Sequence, residues 1–230
     1  MAGKMGSTER FESFLKAAKD AVARGDPPGL VALVWRSGEI FDAALGLRVV
    51  EDNLPMRRDT IFRIASMTKP ITSALIMMLV EGGKLRLEDP VVKWAPELAN
   101  RRVLKDPKGP IDETYPAPRE ITIEDLLTHR SGVAYAFTST GPIAEAYQHA
   151  LPNPSALTPD EFLAALAPLP LSYGPGERWL YSHSTDVLGV VAGRIAGKPF
   201  RDLLLERIAT PLGMKDTDFW IPPEKQDRAA

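Results

Sequence analysis

The spacing of apolar residues predicts helices over most of this chain. In six segments, apolar positions recur at the three- to four-residue period of a helix that packs against a core. Thr185 and Asp186 stand where N-caps are expected at the fifth segment, and Gly213 is an expected stop after the last one. The six predicted helices are Thr8–Arg24, Ile71–Val80, Ile123–Thr128, Pro159–Ala167, Ser184–Ile195 and Phe200–Ile208.

Extended segments are predicted only in the first part of the chain. Leu30–Trp35 is rich in valine and leucine, Ser37-Gly38 is a turn signal, and Glu39–Leu47 completes a predicted β-hairpin. Ile61–Ile64 is predicted as one more short strand. Because a hairpin cannot bury both faces or pair both edges alone, we expect the sheet to need more strands than this sequence obviously supplies.

Composition excludes several classes of function. The formal net charge is −2, so nothing favours binding to nucleic acid or to an anionic membrane. The absence of cysteine removes disulfides, thiol catalysis and cysteine-based zinc sites, and it fits a cytoplasmic location. No secretory signal is recognisable, and the longest apolar run, Ile71–Val80, is too short to cross a bilayer. Three scattered histidines predict no metal site.

A polar insert stands at the head of the apolar helix Ile71–Val80. Ser66 and Lys69 are one helical turn apart, so their side chains share a face. At a helix N-terminus, the free backbone N–H groups favour negative charge, so Ser66 could attack a carbonyl while its own N–H holds the oxyanion. Lys69 could accept the serine proton if burial lowers its pKa from about 10.4.

The Ser-x-x-Lys pattern alone is weak, because it arises easily by chance. The chain contains a second copy, Ser13 to Lys16, within the first predicted helix. That copy is interpreted as the solvated face of an amphipathic helix, and the same interpretation is open for Ser66 when the pattern is taken by itself.

Three motifs together resemble one family. They are TIFRIASMTKP at 60–70, LLTHRSG at 126–132 and PGERWLYS at 175–182. In order and spacing they resemble the serine hydrolases of the β-lactamase/penicillin-binding-protein superfamily, and especially the class C β-lactamase-like esterases called family VIII carboxylesterases. The resemblance implies an α+β fold, with an antiparallel sheet flanked by helices plus a mostly helical region, and catalysis without a cofactor.

The resemblance also assigns catalytic roles. It implies that Ser66 is the acylated nucleophile, that Lys69 is its lysine partner and that Tyr181 is the third member. A phenol of pKa near 10 is only about 0.1% ionised at neutral pH, but a neighbouring ammonium favours the phenolate. Tyr181 could then take the serine proton and return it to the leaving alcohol, sharing one proton with Lys69. Without the family, a tyrosine that anchors a loop would be the better interpretation.

The histidines separate an esterase from a β-lactamase. His183 stands where class C β-lactamases carry an asparagine that contacts the β-lactam side chain, which argues against a dedicated β-lactamase. His183 is a tentative donor to a substrate carbonyl, although a plain loop histidine is the favoured interpretation. His129 is expected to be a buried structural residue that is hydrogen-bonded to backbone, and His149 is expected to be exposed.

We therefore expect two regions and an incomplete sheet. Residues 1–75 would supply the N-terminal helix, the hairpin and the nucleophile segment, and residues 76–230 the mostly helical region with the tyrosine motif. Because family members continue further and carry a third motif that is not found here, a second polypeptide or a C-terminal segment is expected to complete the sheet and the oxyanion hole. The expected activity is hydrolysis of short-chain carboxylic esters. The alternatives are a β-lactamase, a D-amino-acid peptidase or a non-catalytic binding relative.

Overall fold

The computed structural model describes residues 7–230 and divides the chain into two compact units. The first unit runs up to Ile64 and takes up the chain again at Asp218–Ala230, and the second is Ala65–Thr217. The boundary therefore lies before the Ser-x-x-Lys segment, rather than near residue 75 as expected from the sequence. Below, Ala65–Thr217 is called the helical unit.

Within its described residues, the first unit contains one α-helix, a small antiparallel sheet and a 3₁₀ helix, Pro223–Arg228. Helix α1 (Ser7–Ala23) precedes strands β1 (Gly29–Arg36), β2 (Glu39–Val49) and β3 (Leu54–Pro55), which lie in the order β1-β2-β3. The predicted hairpin is confirmed, with Val34 opposite Phe41. Helix α1 packs on β2, and the ring centroids of Phe11 and Phe41 are 5.3 Å apart.

Within the first unit, the segment Asp218–Ala230 pairs with Ile61. Ile61 N–H donates to the Arg228 carbonyl oxygen at 2.8 Å, and Ala230 N–H donates to the Ile61 carbonyl oxygen at 3.0 Å. This contact is a single parallel bridge between Ile61 and Ala229. The predicted strand Ile61–Ile64 is therefore wrong, because only its first residue finds a backbone partner of this kind.

The helical unit confirms the remaining predicted helices. It adds one helix that apolar spacing did not predict, Pro142–Ala150, and a ribbon of two three-residue strands. The seventh helix continues as one π-helical segment, Leu205–Ala209. The elements of this unit are α2 (Thr68–Glu81), β4 (Arg102–Leu104), β5 (Thr114–Pro116), α3 (Ile123–Leu127), α4 (Pro142–Ala150), α5 (Pro159–Leu166), α6 (Ser184–Ala196) and α7 (Phe200–Leu204).

The caps of α6 differ from the expectation. Helix α6 starts directly after His183, so Thr185 and Asp186 lie in its first turn and not at the N-cap. The helix ends at Gly197, whose φ of 63° is the left-handed conformation that glycine adopts without steric cost. Gly213, with a φ of 67°, follows the last helix as expected.

Capping boxes define where two shorter helices begin. Thr158 Oγ1 accepts a hydrogen bond from Glu161 N–H, and the Glu161 carboxylate accepts one from Thr158 N–H at 2.8 Å. Thr122 and Asp125 make the same reciprocal pair at the start of α3. Each box pairs two backbone N–H groups that the start of a helix would otherwise leave without an acceptor.

A single apolar core holds the helical unit together. Helices α2 and α3 both pack against α6, so the segments that precede α2 and α6 are fixed by buried contacts. Burying a leucine or isoleucine side chain contributes about 1.5–3 kcal/mol. Among the large apolar residues of α2 and α6, those at 0–1% exposure are Leu75, Ile76, Val187, Leu188 and Val191. The predicted α+β class is confirmed, and no helix within residues 7–230 is long and apolar enough to cross a membrane.

Candidate active site

Three side chains predicted from the sequence meet in front of α2. Ser66 lies in a 3₁₀ turn, Ala65–Met67, that leads directly into the helix. Lys69 Nζ donates a hydrogen bond to Ser66 Oγ at 3.3 Å, and the Tyr181 hydroxyl donates one to the same oxygen at 2.7 Å. Ser66 is exposed, and Lys69 and Tyr181 are half-buried. The structure therefore brings together a hydroxyl, an amine and a phenol at one accessible point.

The backbone before the serine is strained. Ala65 has a φ of +43°, in the left-handed region that residues with a side chain rarely occupy. Such a conformation costs on the order of 1–3 kcal/mol and persists only where the surroundings impose it. The strain turns the chain so that Ser66 heads the helix with its side chain accessible.

The Lys69 ammonium lies between two tyrosine rings. Its Nζ is 4.9 Å from the centroid of the Tyr181 ring and 5.7 Å from that of Tyr135. Aromatic faces attract cations at these distances. The two rings therefore hold the ammonium close to Ser66 without a carboxylate that would compete for it.

Electrostatics favour the ionised form of Tyr181. Burial by itself raises the pKa of Tyr181, but hydrogen bonding with Ser66 and Lys69 and the charge of Lys69 outweigh it. The net result is a pKa for Tyr181 below its ordinary value of 10.0. A phenol with a lowered pKa is better suited to accept a proton near neutral pH.

Tyr135 is a second tyrosine at the site, and sequence reasoning missed it. Its hydroxyl donates to the Asp186 carboxylate at 2.9 Å. Burial, followed by the negative charge of Asp186, raises the pKa of Tyr135. Tyr135 therefore keeps its proton where Tyr181 can lose its own. Its position three residues after LLTHRSG was the one available signal.

His183 lies inside the helical unit and not in an open loop. Its side chain is 8% exposed, and Nδ1 is 3.0 Å from the Asp186 carboxylate. The ring is packed against aromatic neighbours, with the Tyr135 centroid at 4.0 Å and the Phe162 centroid at 5.7 Å. His183 is thus a buried residue beside Asp186 and not the plain loop histidine favoured from the sequence, and its tentative role as a donor to a substrate carbonyl stays a prediction.

His129 also lies closer to the chemistry than expected. Its ring centroid is 4.9 Å from that of Tyr181, and its Nδ1 is 3.5 Å from Ser182 Oγ. The partner of the half-buried ring is thus a serine hydroxyl, and not the backbone group expected from the sequence. Burial, followed by the charge of Lys69, lowers the pKa of His129.

A chain of buried hydroxyl groups continues from His129. Ser182 Oγ is 2.7 Å from Ser184 Oγ, which is 2.8 Å from Ser131 Oγ. Ser131 Oγ also accepts from Val133 N–H at 3.2 Å. If each hydroxyl donates toward the histidine, all three protons are used; in the reverse direction, Ser131 would have no acceptor among the described residues. The chain therefore favours His129 with Nδ1 as acceptor and its proton on Nε2.

The LLTHRSG segment is clamped to the tyrosine motif by backbone contacts. Leu180 N–H donates to the His129 carbonyl oxygen, and Ser172 N–H donates to that of Gly132, both at 2.8 Å. Gly132 has a φ of +80°, and a Cβ there would lie 2.0 Å from the Tyr173 carbonyl oxygen. Only glycine fits this approach, which holds the loop against the backbone of Tyr173.

The remaining candidates carry no chemistry at this site. His149 is exposed on α4, as expected from the sequence. Within the part of the chain that the structure describes, no three histidine or carboxylate side chains are grouped so that they could hold a metal ion. The second Ser-x-x-Lys copy begins at Ser13, which is exposed on α1 in the first unit.

The family model for β-lactamases matches residues 14–230. The chain belongs to the β-lactamase family. It is 50% identical over 203 residues to an uncharacterized protein of Mycobacterium tuberculosis, covering 88% of this chain and 50% of that protein. It is 40% identical over 196 residues to esterase EstB of Burkholderia gladioli, covering 83% of this chain and 47% of that esterase.

Solved structures of this β-lactamase-like fold also match the chain. The structure of EstCE1, described as a hydrolase with promiscuous acyltransferase activity, superposes with a TM-score of 0.80 at 29% identity. The match covers 95% of this chain and 55% of that chain. The chain thus spans about half the length of the relatives it matches. The resemblance inferred from the three motifs is confirmed.

Proposed function

We propose that this chain carries the acyl-enzyme machinery of a serine carboxylesterase that acts on short-chain esters. The observation that carries the proposal is the convergence of Lys69 Nζ and the Tyr181 hydroxyl on Ser66 Oγ, at 3.3 and 2.7 Å. The lowered pKa of Tyr181 and the similarity to esterase EstB support it. Because the relatives are about twice as long, the activity is proposed for the whole protein that contains these residues.

The acylation step uses Tyr181 as general base. With the phenol ionised beside the Lys69 ammonium, Ser66 gives its proton to the phenolate as its Oγ forms a bond to the ester carbonyl carbon. The tetrahedral intermediate collapses, the bond to the alkoxy oxygen breaks, and Tyr181 returns the proton to the leaving alcohol. The acyl group stays on Ser66. The backbone N–H of Ser66, at the head of α2, is one donor proposed for the oxyanion.

Deacylation repeats these proton transfers with water. The water oxygen attacks the acyl carbon while Tyr181 takes a proton from the water. The bond between the acyl carbon and Ser66 Oγ then breaks. The proton passes back to Ser66, and the carboxylic acid is released. Lys69 remains an ammonium that stabilises the phenolate in both steps, within reach of the rings of Tyr135 and Tyr181.

A fluorophosphonate probe tests the nucleophile in the intact protein. We expect one adduct, located by peptide mapping at Ser66, and its loss in Ser66→Ala. The matched control is Ser13→Ala, which removes the serine of the second Ser-x-x-Lys copy and should label fully. Labelling that survives Ser66→Ala, or that disappears in Ser13→Ala, would sink the proposal.

Substrate class is tested by comparing nitrophenyl butyrate with nitrocefin. We expect faster turnover of the ester, since His183 replaces the asparagine of class C β-lactamases and its ring is buried. Faster nitrocefin turnover would favour the amide-directed alternatives, a β-lactamase or a D-amino-acid peptidase. No turnover and no probe adduct would favour a non-catalytic binding relative.

Acyl transfer to an alcohol is the second candidate function. It is favoured by the similarity to EstCE1, a hydrolase with promiscuous acyltransferase activity. The exposed position of Ser66 leaves room for an acceptor larger than water. A reaction in the presence of methanol measures how the acyl group is divided between water and the alcohol. Transfer to methanol yields the methyl ester, whereas hydrolysis yields the acid. The expectation that further polypeptide completes the sheet and the oxyanion hole stays a prediction.

A further inference from the structure

Two stacked aromatic rings lie next to the reactive tyrosine. The ring centroids of Tyr135 and Phe137 are 4.8 Å apart, and their planes differ by 21°. Both rings also contact the Tyr181 ring, at 5.6 Å for Tyr135 and 6.4 Å for Phe137. We call Tyr135 and Phe137 the aromatic ledge. Through Tyr181, the ledge is joined directly to the nucleophile.

The ledge is anchored on its inner side. The Tyr135 hydroxyl is hydrogen-bonded to Asp186, and its ring packs edge-on against His183 at 4.0 Å. Just beyond Phe137, Thr138 Oγ1 donates to the Tyr181 carbonyl oxygen at 2.9 Å. Rings fixed in this way lose little conformational freedom when a ligand binds, so a contact with them contributes more to affinity.

The outer side of the ledge is open. Phe137 is 76% exposed, and Met67, the residue after the nucleophile, is 65% exposed. A single exposed apolar side chain needs no explanation, since surfaces commonly contain them. Here an exposed ring is stacked, anchored and adjacent to the reactive group, which is the arrangement of a binding surface for an apolar ligand.

We propose that the aromatic ledge binds a flat, uncharged aryl group on one half of the ester, an inference that rests on the proposed function. The carbonyl carbon of the ester must reach Ser66 Oγ, which is 2.7 Å from the Tyr181 hydroxyl. An aryl group two or three bonds from the carbonyl carbon then lies over Tyr181 and Phe137, at the 4.5–7 Å spacing that stacked rings prefer. The partly exposed Asp186 carboxylate beside the ledge disfavours an anionic aryl group.

Two matched pairs of esters test this selectivity. Benzyl acetate and cyclohexylmethyl acetate differ only in the flatness of the ring on the alcohol half. Methyl phenylacetate and methyl cyclohexylacetate do so on the acyl half. For each pair, the ratio of kcat/KM values for the flat and the puckered ring is measured. This ratio is independent of the fraction of folded enzyme, so a partly misfolded variant still gives an answer.

The variants compared are Phe137→Ala, Phe137→Leu and Trp35→Ala. In one of the two pairs, we expect Phe137→Ala to lower the ratio about fivefold, the value of a lost stacking contact. Phe137→Leu should lower it too, because leucine is apolar but not flat. Trp35 is an exposed aromatic residue of strand β1 in the first unit, and its removal should leave both ratios as in the wild type.

Unchanged ratios for both pairs in Phe137→Ala would overturn the ledge while leaving the esterase proposal intact. If the wild type hydrolyses neither nitrophenyl butyrate nor any of the four esters, the proposed function fails, and the ledge is then tested by ligand binding alone. Saturation-transfer NMR with benzyl alcohol on Ser66→Ala then supports the ledge if the signal disappears in the variant that also carries Phe137→Ala. The same signal in both proteins, or no signal in either, would contradict it.

Discussion

The two units of the molecule bury their apolar residues very differently. Helices α2, α3 and α6 of the helical unit enclose a core of fully buried side chains. In the described part of the first unit, the buried apolar residues are Ala18 and Met56, at 7% and 8% exposed, while Leu33 and Trp35 of β1 are 58% and 68% exposed. The candidate active site lies wholly in the unit that has its own core. The segments that carry Ser66 and Tyr181 are accordingly positioned by helix packing within this unit.

The largest expected effect is on chemistry in the helical unit. Tyr181→Phe removes the proton carrier, so we expect kcat/KM for nitrophenyl butyrate to fall about a thousandfold. The ring packing against His129 is kept, and the denaturation midpoint should not move. Tyr115→Phe, at a half-exposed tyrosine on β5, is the matched control. A loss of less than tenfold in Tyr181→Phe would remove Tyr181 from the mechanism.

Core truncation tests the contrast in burial directly. Leu188→Ala, in the fully buried face of α6, should lower the free energy of unfolding by about 3 kcal/mol. Leu33→Ala, on the exposed face of β1, should cost less than about 1 kcal/mol. Urea denaturation followed by tryptophan fluorescence measures both. Equal costs would mean that Leu33 is covered in solution, and the comparison between the units would break down.

Asp125, at the start of α3, should make the free energy of unfolding depend on pH. Burial raises the pKa of Asp125, but hydrogen bonds from Arg119 and Thr122 outweigh it and hold the pKa below its ordinary value of 3.8. The ionised form therefore stabilises the fold above about pH 4, and this contribution is lost as pH falls through the lowered pKa. Asp125→Asn should cost about 1–2 kcal/mol at pH 7.

The pH series also supplies its own control. As the pH falls from 5 to 2, the difference in free energy of unfolding between wild type and Asp125→Asn should narrow. Protonation of Asp125 makes the wild-type side chain neutral, as the asparagine of the variant already is. A gap that stays constant down to pH 2 would show that Asp125 acts through shape alone, without the ion pair to Arg119.

The smallest expected effect lies where the chain passes from one unit to the other. Ala65 is strained at a φ of +43°, so Ala65→Gly should raise the free energy of unfolding by up to about 1 kcal/mol. Ala95→Gly, at a fully buried alanine with an ordinary φ of −129°, should instead destabilise. A lower melting temperature in Ala65→Gly would show that the left-handed turn costs nothing.

The meeting of the three candidate residues was predictable from sequence because their signal is local and ordered, and their catalytic roles stay a prediction. Ser66 and Lys69 share one helical turn, and Tyr181 lies in a motif of its own, so three short segments sufficed. The surroundings of His183 were not predictable. Its burial depends on Phe162 and Tyr135, which come from separate elements of the chain.

The predicted boundaries of helices and strands were wrong where strand pairing or burial determines them. Ile61–Ile64 has the composition of a strand, but only Ile61 meets a partner. The caps of α6 were misplaced by two or three residues, because Ser184 and Thr185 are buried in the first turn. The three-residue strands β4 and β5 are too short for any alternation of side chains to show in the sequence.

The return of Asp218–Ala230 to the first unit has a consequence for synthesis on the ribosome. Ile61 cannot meet Arg228 and Ala230 until the whole helical unit has been translated. At usual elongation rates that takes on the order of ten seconds, ample time for a unit with its own core to fold first. The first unit would then be the last to finish, after the helical unit has already become native.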